Sequence, residues 1–257
     1  MRRHDRLATL LDDLAKDGTI EIDDAAQRLD VSPATIRRDL DALDDEGLLV
    51  RTRGGAVPAS VAYDLPLRYK TDRNAAAKQA IARAAADLVP PGAAVALNGG
   101  TTTTEVARAL ATRTHPSLRL TVVTNALNIA SELALRPEIE VVVTGGVVRA
   151  QSYELVGHFA DLVVGELHFD VAILGVGAIS VDAGACTAHE GEAAVNGAMA
   201  RRAREVVVVA DGTKLGSYAF ARICPTDAID ILVTDETAPA DTVDAFIDAG
   251  VKVVVAR

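Results

Sequence analysis

Residues 32–40 read Ser-Pro-Ala-Thr-Ile-Arg-Arg-Asp-Leu, and this stretch decides how the N-terminal part of the chain folds. Ser32 offers an N-cap oxygen, and Pro33 suits a first helical residue, where its missing N–H costs nothing. A helix is therefore predicted from Pro33 to about Glu46, with Gly47 as its C-cap. On a helical wheel Ile36, Leu40 and Leu43 share one narrow apolar face. Ala34, Arg38 and Asp41 point the opposite way, flanked by Thr35 and Arg37. The apolar face needs partners, and these lie upstream. Leu7, Leu10, Leu11 and Leu14 recur at helical spacing within residues 3–17, where Gly18 ends the helix. Ala25, Ala26 and Leu29 mark a second, shorter helix over residues 23–30.

Downstream, Leu48-Leu49-Val50 and Ala56-Val57 flank Arg51-Thr52-Arg53-Gly54-Gly55, the pattern of a β-hairpin. Three helices followed by such a hairpin make a winged helix-turn-helix, placed at residues 1–57. The polar, Arg-bearing end of its third helix suits a major groove, where an Arg fork grips guanine. The candidate contacts to double-stranded DNA are Ser32, Ala34, Thr35, Arg37 and Arg38 on the helix, with Arg51, Arg53 and Gly54 on the wing. Ser32 can donate to a phosphate as well as cap, and glycine lets the wing approach closely. Taken alone, Arg37-Arg38 more often marks a solvated face on a plain helical bundle.

The formal net charge of −10 runs against nucleic-acid binding at first sight. The first 56 residues hold nine Arg/Lys and thirteen Asp/Glu, a balance of −4. Placement decides the matter: the arginines cluster at the N-terminus, on the third helix and on the wing, and the acids fill the stretches between. No signal-peptide h-region and no membrane-length apolar run is present, and Cys186 and Cys224 stand in separate segments. A cytoplasmic location is expected, with no membrane partner, no metal and no cofactor.

Residues 58–75 show two prolines and no period, and read as a linker. From residue 76 to 257 the pattern changes to Val-rich strands at 94–97, 120–123, 140–144, 171–175, 205–210, 230–234 and 251–256. Helical stretches separate most of them, at about 76–88, 102–111, 126–135, 188–202 and 239–249. Continuous apolar strands alternating with helices predict an α/β domain whose mostly parallel sheet is covered on both faces.

Ligands of open α/β sheets gather at the carboxyl ends of strands, and the sequence concentrates small polar residues there. Asn98-Gly99-Gly100-Thr101-Thr102-Thr103 joins a strand to a helix start, where free N–H groups and the positive helix end favour an anion. Asn125, Gly145-Gly146, and Gly175 with Gly177 close other strands. His189 and Glu190 open a helix, and Asp211 precedes Lys214, one of five lysines in the chain. Arg149 and Tyr153 are rim candidates. Gly175–Ser180 lacks the third glycine of a dinucleotide fingerprint, and no P-loop pattern occurs.

The Ser32–Leu40 stretch, with Leu43, Gly47-Leu48 and Arg51-Thr52-Arg53-Gly54-Gly55-Ala56, resembles the helix-turn-helix signature of the DeoR/GlpR regulators. Arg6, Leu10 and Leu14 sit at that family's spacing, as do Arg68, Asn74, Lys78 and Ile81 beyond the hairpin. The loop at residues 98–102 resembles the family's Asp-x-Gly-Thr-Thr, with Asn98 where an Asp is common; residues 211–216 resemble its Asp-x-Ser/Thr-Lys-x-Gly. The resemblance implies a sensor domain of ribose-5-phosphate-isomerase-like fold. It further implies a repressor of carbohydrate genes, a homo-oligomer, whose hold on an operator responds to a small-molecule effector, a sugar phosphate or related metabolite. The competing expectation is a sugar-phosphate isomerase-like enzyme carrying a DNA-binding domain. No motif singles out a general base for it.

Overall fold

Leu10, Leu11 and Leu14 are wholly buried, and with Ile36, Leu40 and Leu43 they centre the core of the first of two units, Met1–Asp72. The computed structural model describes residues 1–59, 66–71, 73–113 and 119–257. Helix α1 (Arg3–Asp17) stops where Gly18 turns left-handed at φ 70°. Strand β1 (Ile20–Glu21) leads into α2 (Ile22–Arg28) and then α3 (Pro33–Asp45). The Ser32 Oγ accepts from the Thr35 N–H at 3.2 Å, the N-cap expected of it. Strands β2 (Leu49–Arg51) and β3 (Gly55–Pro58) form the antiparallel hairpin, and β1 pairs on its far side, giving the order β1-β3-β2. A Cβ at Gly55 would lie 1.6 Å from the Ile20 carbonyl oxygen, so only glycine permits that pairing.

The buried side of α3 is not wholly apolar. Asp39 is 2% exposed, and Arg6 Nε of α1 donates to its Oδ2 at 2.5 Å. A charge at that depth is tolerable only when paired, so the bond fixes how α1 lies on α3.

Of the linker expected over residues 58–75, residues 60–65 and 72 lie outside the described residues, and part of the rest is structured. Pro58 closes β3, and Leu67–Lys70 forms a helical turn, α4. Its Tyr69 is buried in the first unit's core, and the phenol donates to Glu46 Oε2 at 2.9 Å. A single anchoring aromatic leaves no periodicity in the sequence.

The second unit, Arg73–Arg257, opens with α5 (Ala75–Asp87), β4 (Ala94–Leu97), α6 (Thr101–Arg113), β5 (Leu120–Thr124), α7 (Leu127–Leu133) and β6 (Ile139–Val143). A hairpin of β7 (Val147–Arg149) and β8 (Glu154–Val156) follows, then α8 (His158–Gly165) and β9 (Phe169–Gly175). Next come β10 (Ala178–Ser180), β11 (Gly184–Thr187), α9 (Glu190–Arg202), β12 (Ala203–Val209) and β13 (Ala221–Cys224). The described chain ends with β14 (Ile231–Asp235), α10 (Ala240–Asp248) and β15 (Lys252–Ala256). All seven Val-rich runs enter one parallel sheet of order β15-β14-β12-β9-β4-β5-β6. Side chains alternate faces as strand geometry requires. Val95, Leu97, Val171 and Ile173 face α5, α6 and α7, whereas Ala96, Ala172 and Leu174 face α8, α9 and α10. The hairpin β7-β8, the small sheet β10-β11-β13 and α8 add to the predicted pattern. From β4 the chain builds one way through β5 to β6, and from β9 the other way through β12 and β14 to β15. The order therefore reverses between β4 and β9, the point where such sheets open a crevice.

Candidate functional site

On the first unit the outward face of α3 carries Arg37 and Arg38, both exposed, beside exposed Ala34 and half-buried Thr35. Ser32 is exposed while it caps, and its hydroxyl also shares a 2.9 Å hydrogen bond with Thr35 Oγ1. Arg38 Nε returns to the Ala34 carbonyl at 3.2 Å. Arg53 and Gly54 lie exposed at the hairpin tip. Arg51 differs. Its Nε donates to Asp41 Oδ1 and its Nη1 to the Gly55 carbonyl, each at 2.9 Å.

On the second unit the crevice between β4 and β9 is closed by Asn98, which is 1% exposed. Its Oδ1 accepts from the Gly175 N–H at 2.7 Å, and its Nδ2 donates to the Gly175 carbonyl at 2.9 Å. A Cβ at Gly175 would stand 3.1 Å from Thr103 Cγ2 of α6 and 3.5 Å from the Gly99 carbonyl oxygen, so the end of β9 and the loop after β4 lie close together. Gly100, at φ 139°, turns its carbonyl to accept from Thr103 Oγ1, Thr104 Oγ1 and the Thr104 N–H. Thr101 is half-buried; Thr102 is buried, and its Oγ1 has no hydrogen-bond partner among the described residues. The N–H groups of the first turn of α6 have no intrahelical acceptors.

Asp211 and Lys214 stand at the next strand end. Asp211 Oδ1 accepts from Thr213, hydroxyl and N–H, and from Asn74 Nδ2 at 3.3 Å. Lys214 Nζ reaches the Val176 carbonyl at 2.6 Å, which brings it to the end of β9. Lys78 of α5 is 4% exposed. Burial first, then the Lys214 charge, lower its pKa to about 8, against the pull of Asp211. The family spacing singles out Lys78, but as a single lysine in an Ala-rich helix it carries no local mark of a site.

A second polar cluster backs the loop at residues 98–103. Glu154 of β8 is 2% exposed, and its Oε1 accepts from the Gly99 N–H at 2.8 Å and from Asn125 and Asn196 Nδ2 at 3.4 Å each. A Cβ at Gly99 would lie 2.4 Å from Glu154 Cγ, which explains that glycine. Glu192 of α9 stands near Glu154, accepts from Thr187 Oγ1 at 2.8 Å, and pairs with Arg149 at 3.0 Å. Burial first, then the Glu192 carboxylate, hold the Glu154 carboxyl well above the usual carboxylate range, against the pull of the Gly99 N–H. Sequence reading did not select Glu154, Glu192 or Asn196, which converge from distant segments without a motif.

Other expected residues have structural duties. His189 is the N-cap of α9, its Nδ1 accepting from the Gly191 N–H at 3.1 Å, while Glu190 is exposed. Glu192 is the buried carboxylate of that helix turn. Gly146, at φ 124°, lets the chain pass Val156, whose carbonyl oxygen a Cβ would approach to 2.8 Å. Gly145 is exposed at φ 71°, and the Gly177 N–H bonds the Cys186 carbonyl at 2.8 Å. Tyr153 is half-buried with φ 60°, and its N–H and carbonyl bond Arg149 and Leu127. Among the described residues no helix is long and apolar enough to cross a membrane.

Comparison with known proteins matches the model of the DeoR-like helix-turn-helix domain over residues 6–61 and that of the DeoR C terminal sensor domain over residues 73–236. The chain is 37% identical to the HTH-type transcriptional regulator GlpR of Haloferax volcanii, over 98% of this chain and 96% of that one. It is 34% identical to the HTH-type transcriptional repressor CsqR of Escherichia coli, over 98% and 94%. It is 27% identical to the E. coli glycerol-3-phosphate regulon repressor, over 96% and 97%. A likeness to ribose 5-phosphate isomerase A of Methanocaldococcus jannaschii covers 55% of this chain and 54% of that one, at 20% identity and a TM-score of 0.40. That is too slight to carry an argument.

Proposed function

The chain belongs to the DeoR family of helix-turn-helix transcriptional regulators, and from that premise we propose that it represses genes of carbohydrate metabolism and lets go of its operator when a phosphorylated sugar or related metabolite binds its sensor unit. One observation supports the ligand class: Lys78 lies within reach of the Lys214 charge, and Lys214 extends to the end of β9, at the sheet's switch point. Two ammonium groups that feel each other's charge repel, and an anion near both relieves the repulsion. A phosphate ester supplies that anion, and the N–H groups of Thr101 to Thr103 add donors. The buried Thr102 hydroxyl supplies another polar group on the same turn.

In this reading Asn98, Gly99, Gly100, Asn125, Gly175 and Gly177 shape the crevice, and Asp211 orients Asn74 and the turn that carries Lys214. Gly145, Gly146, His189 and Glu190 border it. Arg37, Arg38, Arg53 and Gly54 meet DNA, with Ser32, Ala34 and Thr35 at the groove. The protein works in the cytoplasm as a homo-oligomer that spans repeated half-sites. The effector must bind the DNA-holding and released states with unequal affinity, since otherwise nothing switches. The sensor unit binds without turnover: its buried carboxyl pair is committed to hydrogen bonds from the loop, Asn125, Asn196, Thr187 and Arg149.

Thermal unfolding with a panel of pentose, hexose and triose phosphates tests the sensor. At least one compound raises the wild-type midpoint, and the same compound leaves Lys214→Ala unshifted. A panel that shifts neither protein, or both equally, rejects the site. Consumption of any panel member would restore the enzyme reading.

A further inference from the structure

Arg51 was expected at the DNA, yet its guanidinium is committed elsewhere. The side chain is 23% exposed, with Nε on Asp41 Oδ1 and Nη1 on the Gly55 carbonyl, each at 2.9 Å. The Gly55 carbonyl also accepts from the Thr52 N–H at 3.0 Å, so Arg51 grips the closing bond of the wing. One planar group thus joins three elements: the end of β2, the start of β3 and the outward face of α3.

Asp41 is the second half of the observation. It lies on the same face of α3 as Arg38, three residues further on, and its side chain is 60% exposed. A bare carboxylate there would repel DNA phosphates. Paired with Arg51, the carboxylate is neutralised and acts as a bracket. Arg37 and Arg53, by contrast, make no hydrogen bond or ion pair among the described residues, which leaves both for DNA.

We propose that Asp41 and Arg51 are positioning residues for operator recognition: their pair sets the height and angle of the wing over α3, so that wing contacts to phosphate fix the register in which Arg37 and Arg38 read bases. Phosphate contacts orient a protein on the duplex, and base contacts carry sequence. A wing that drifts relative to α3 still meets phosphate, but it no longer holds the helix in one register. Specificity falls while non-specific affinity stays.

The test uses the full chain and two duplexes: one enriched by the wild-type protein from a random-sequence pool, and a scrambled duplex of the same composition. Asp41→Asn and Arg51→Lys are measured against both across a salt series, with thermal unfolding to confirm that each variant folds. Lysine keeps the charge but cannot bond Asp41 and Gly55 together in Arg's planar geometry. Both variants should lose about tenfold in the ratio of enriched to scrambled affinity, part of the worth of one bidentate base contact. Scrambled-duplex affinity should hold or rise for Asp41→Asn. The salt slope should stay unchanged for Arg51→Ala and fall by about one for Arg53→Ala. If Asp41→Asn keeps the wild-type ratio, or Arg51→Ala loses about one unit of salt slope, the proposal is overturned and Arg51 is a phosphate contact.

Discussion

Asn98 and Gly175 exchange two hydrogen bonds across the crevice, the side-chain oxygen accepting from the Gly175 N–H and the side-chain nitrogen donating to the Gly175 carbonyl. The pair joins the ends of β4 and β9, where the strand order reverses. The family resemblance implies an Asp at this position, and an aspartate cannot reproduce the second bond. Its ionised oxygen would face the Gly175 carbonyl instead. Asn98→Asp should therefore destabilise the sensor unit by about 1–3 kcal/mol at neutral pH, the cost of an unmatched buried polar group. Urea unfolding of the variant at pH 7 checks this, and an unchanged midpoint would show that the crevice relaxes around the carboxylate.

Asp39 and Arg6 make the corresponding tie in the first unit. Arg6→Ala leaves a carboxylate that is 3% exposed without its main partner, and Arg3, 3.5 Å from Asp39 but largely in solvent, compensates poorly. The variant should lose about 3 kcal/mol of stability in the helix-turn-helix unit, and operator binding with it. Hydrogen exchange resolved by segment would show the loss confined to residues 3–58, while the sensor unit stays protected.

Glu154 makes stability depend on pH. Its folded-state pKa is raised above its ordinary value of 4.5, so the folded protein holds a proton that the unfolded chain releases. The contribution is complete below pH 4.5 and is lost as pH rises from there through neutral. Glu154→Gln, neutral at every pH, should flatten that slope. Denaturant midpoints of both proteins between pH 5 and 8 measure it, and parallel curves would mean that Glu154 does not hold the extra proton.

Lys78 gives effector binding its own pH dependence. With a pKa lowered to about 8, it is charged below that pH and neutral above. Affinity for a phosphate ester should be level between about pH 7 and 8 and weaken above, by up to tenfold per unit for the one proton that an anion recruits. Lys78→Met should bind weakly at every pH in that range. Isothermal titration in two buffers of different ionisation enthalpy would count the proton taken up at pH 8.5.

The seven parallel strands were legible because each leaves a short Val-rich run such as Glu205–Ala210, too short and too β-branched for a helix. The strands β10, β11 and β13 were not, since Gly-Ala-Cys-Thr or Ala-Arg-Ile-Cys offers neither a run nor an alternation. The helix α8 escaped because it is only eight residues long, follows β8 through the single Gly157, and keeps Phe159 and Leu162 exposed. At the candidate site, sequence motifs nominate residues such as Asn98, Thr102 and Lys214. Glu154 is not among them, for its partner Gly99 lies 55 positions away, and only the folded sheet brings them together. Arg51 was found for the wrong geometry: composition shows an arginine on a wing, and only coordinates show it turned inward onto Asp41.

A titration of the full chain against the duplex upstream of its own gene, with and without a panel of sugar phosphates, bears most directly on whether this is a ligand-released DNA binder. The expected result is tight binding at moderate salt and release by one phosphorylated sugar, with Lys214→Ala binding the duplex equally well but ignoring the sugar. Failure to bind even at low salt, or release of Lys214→Ala at the wild-type concentration of sugar, would contradict it.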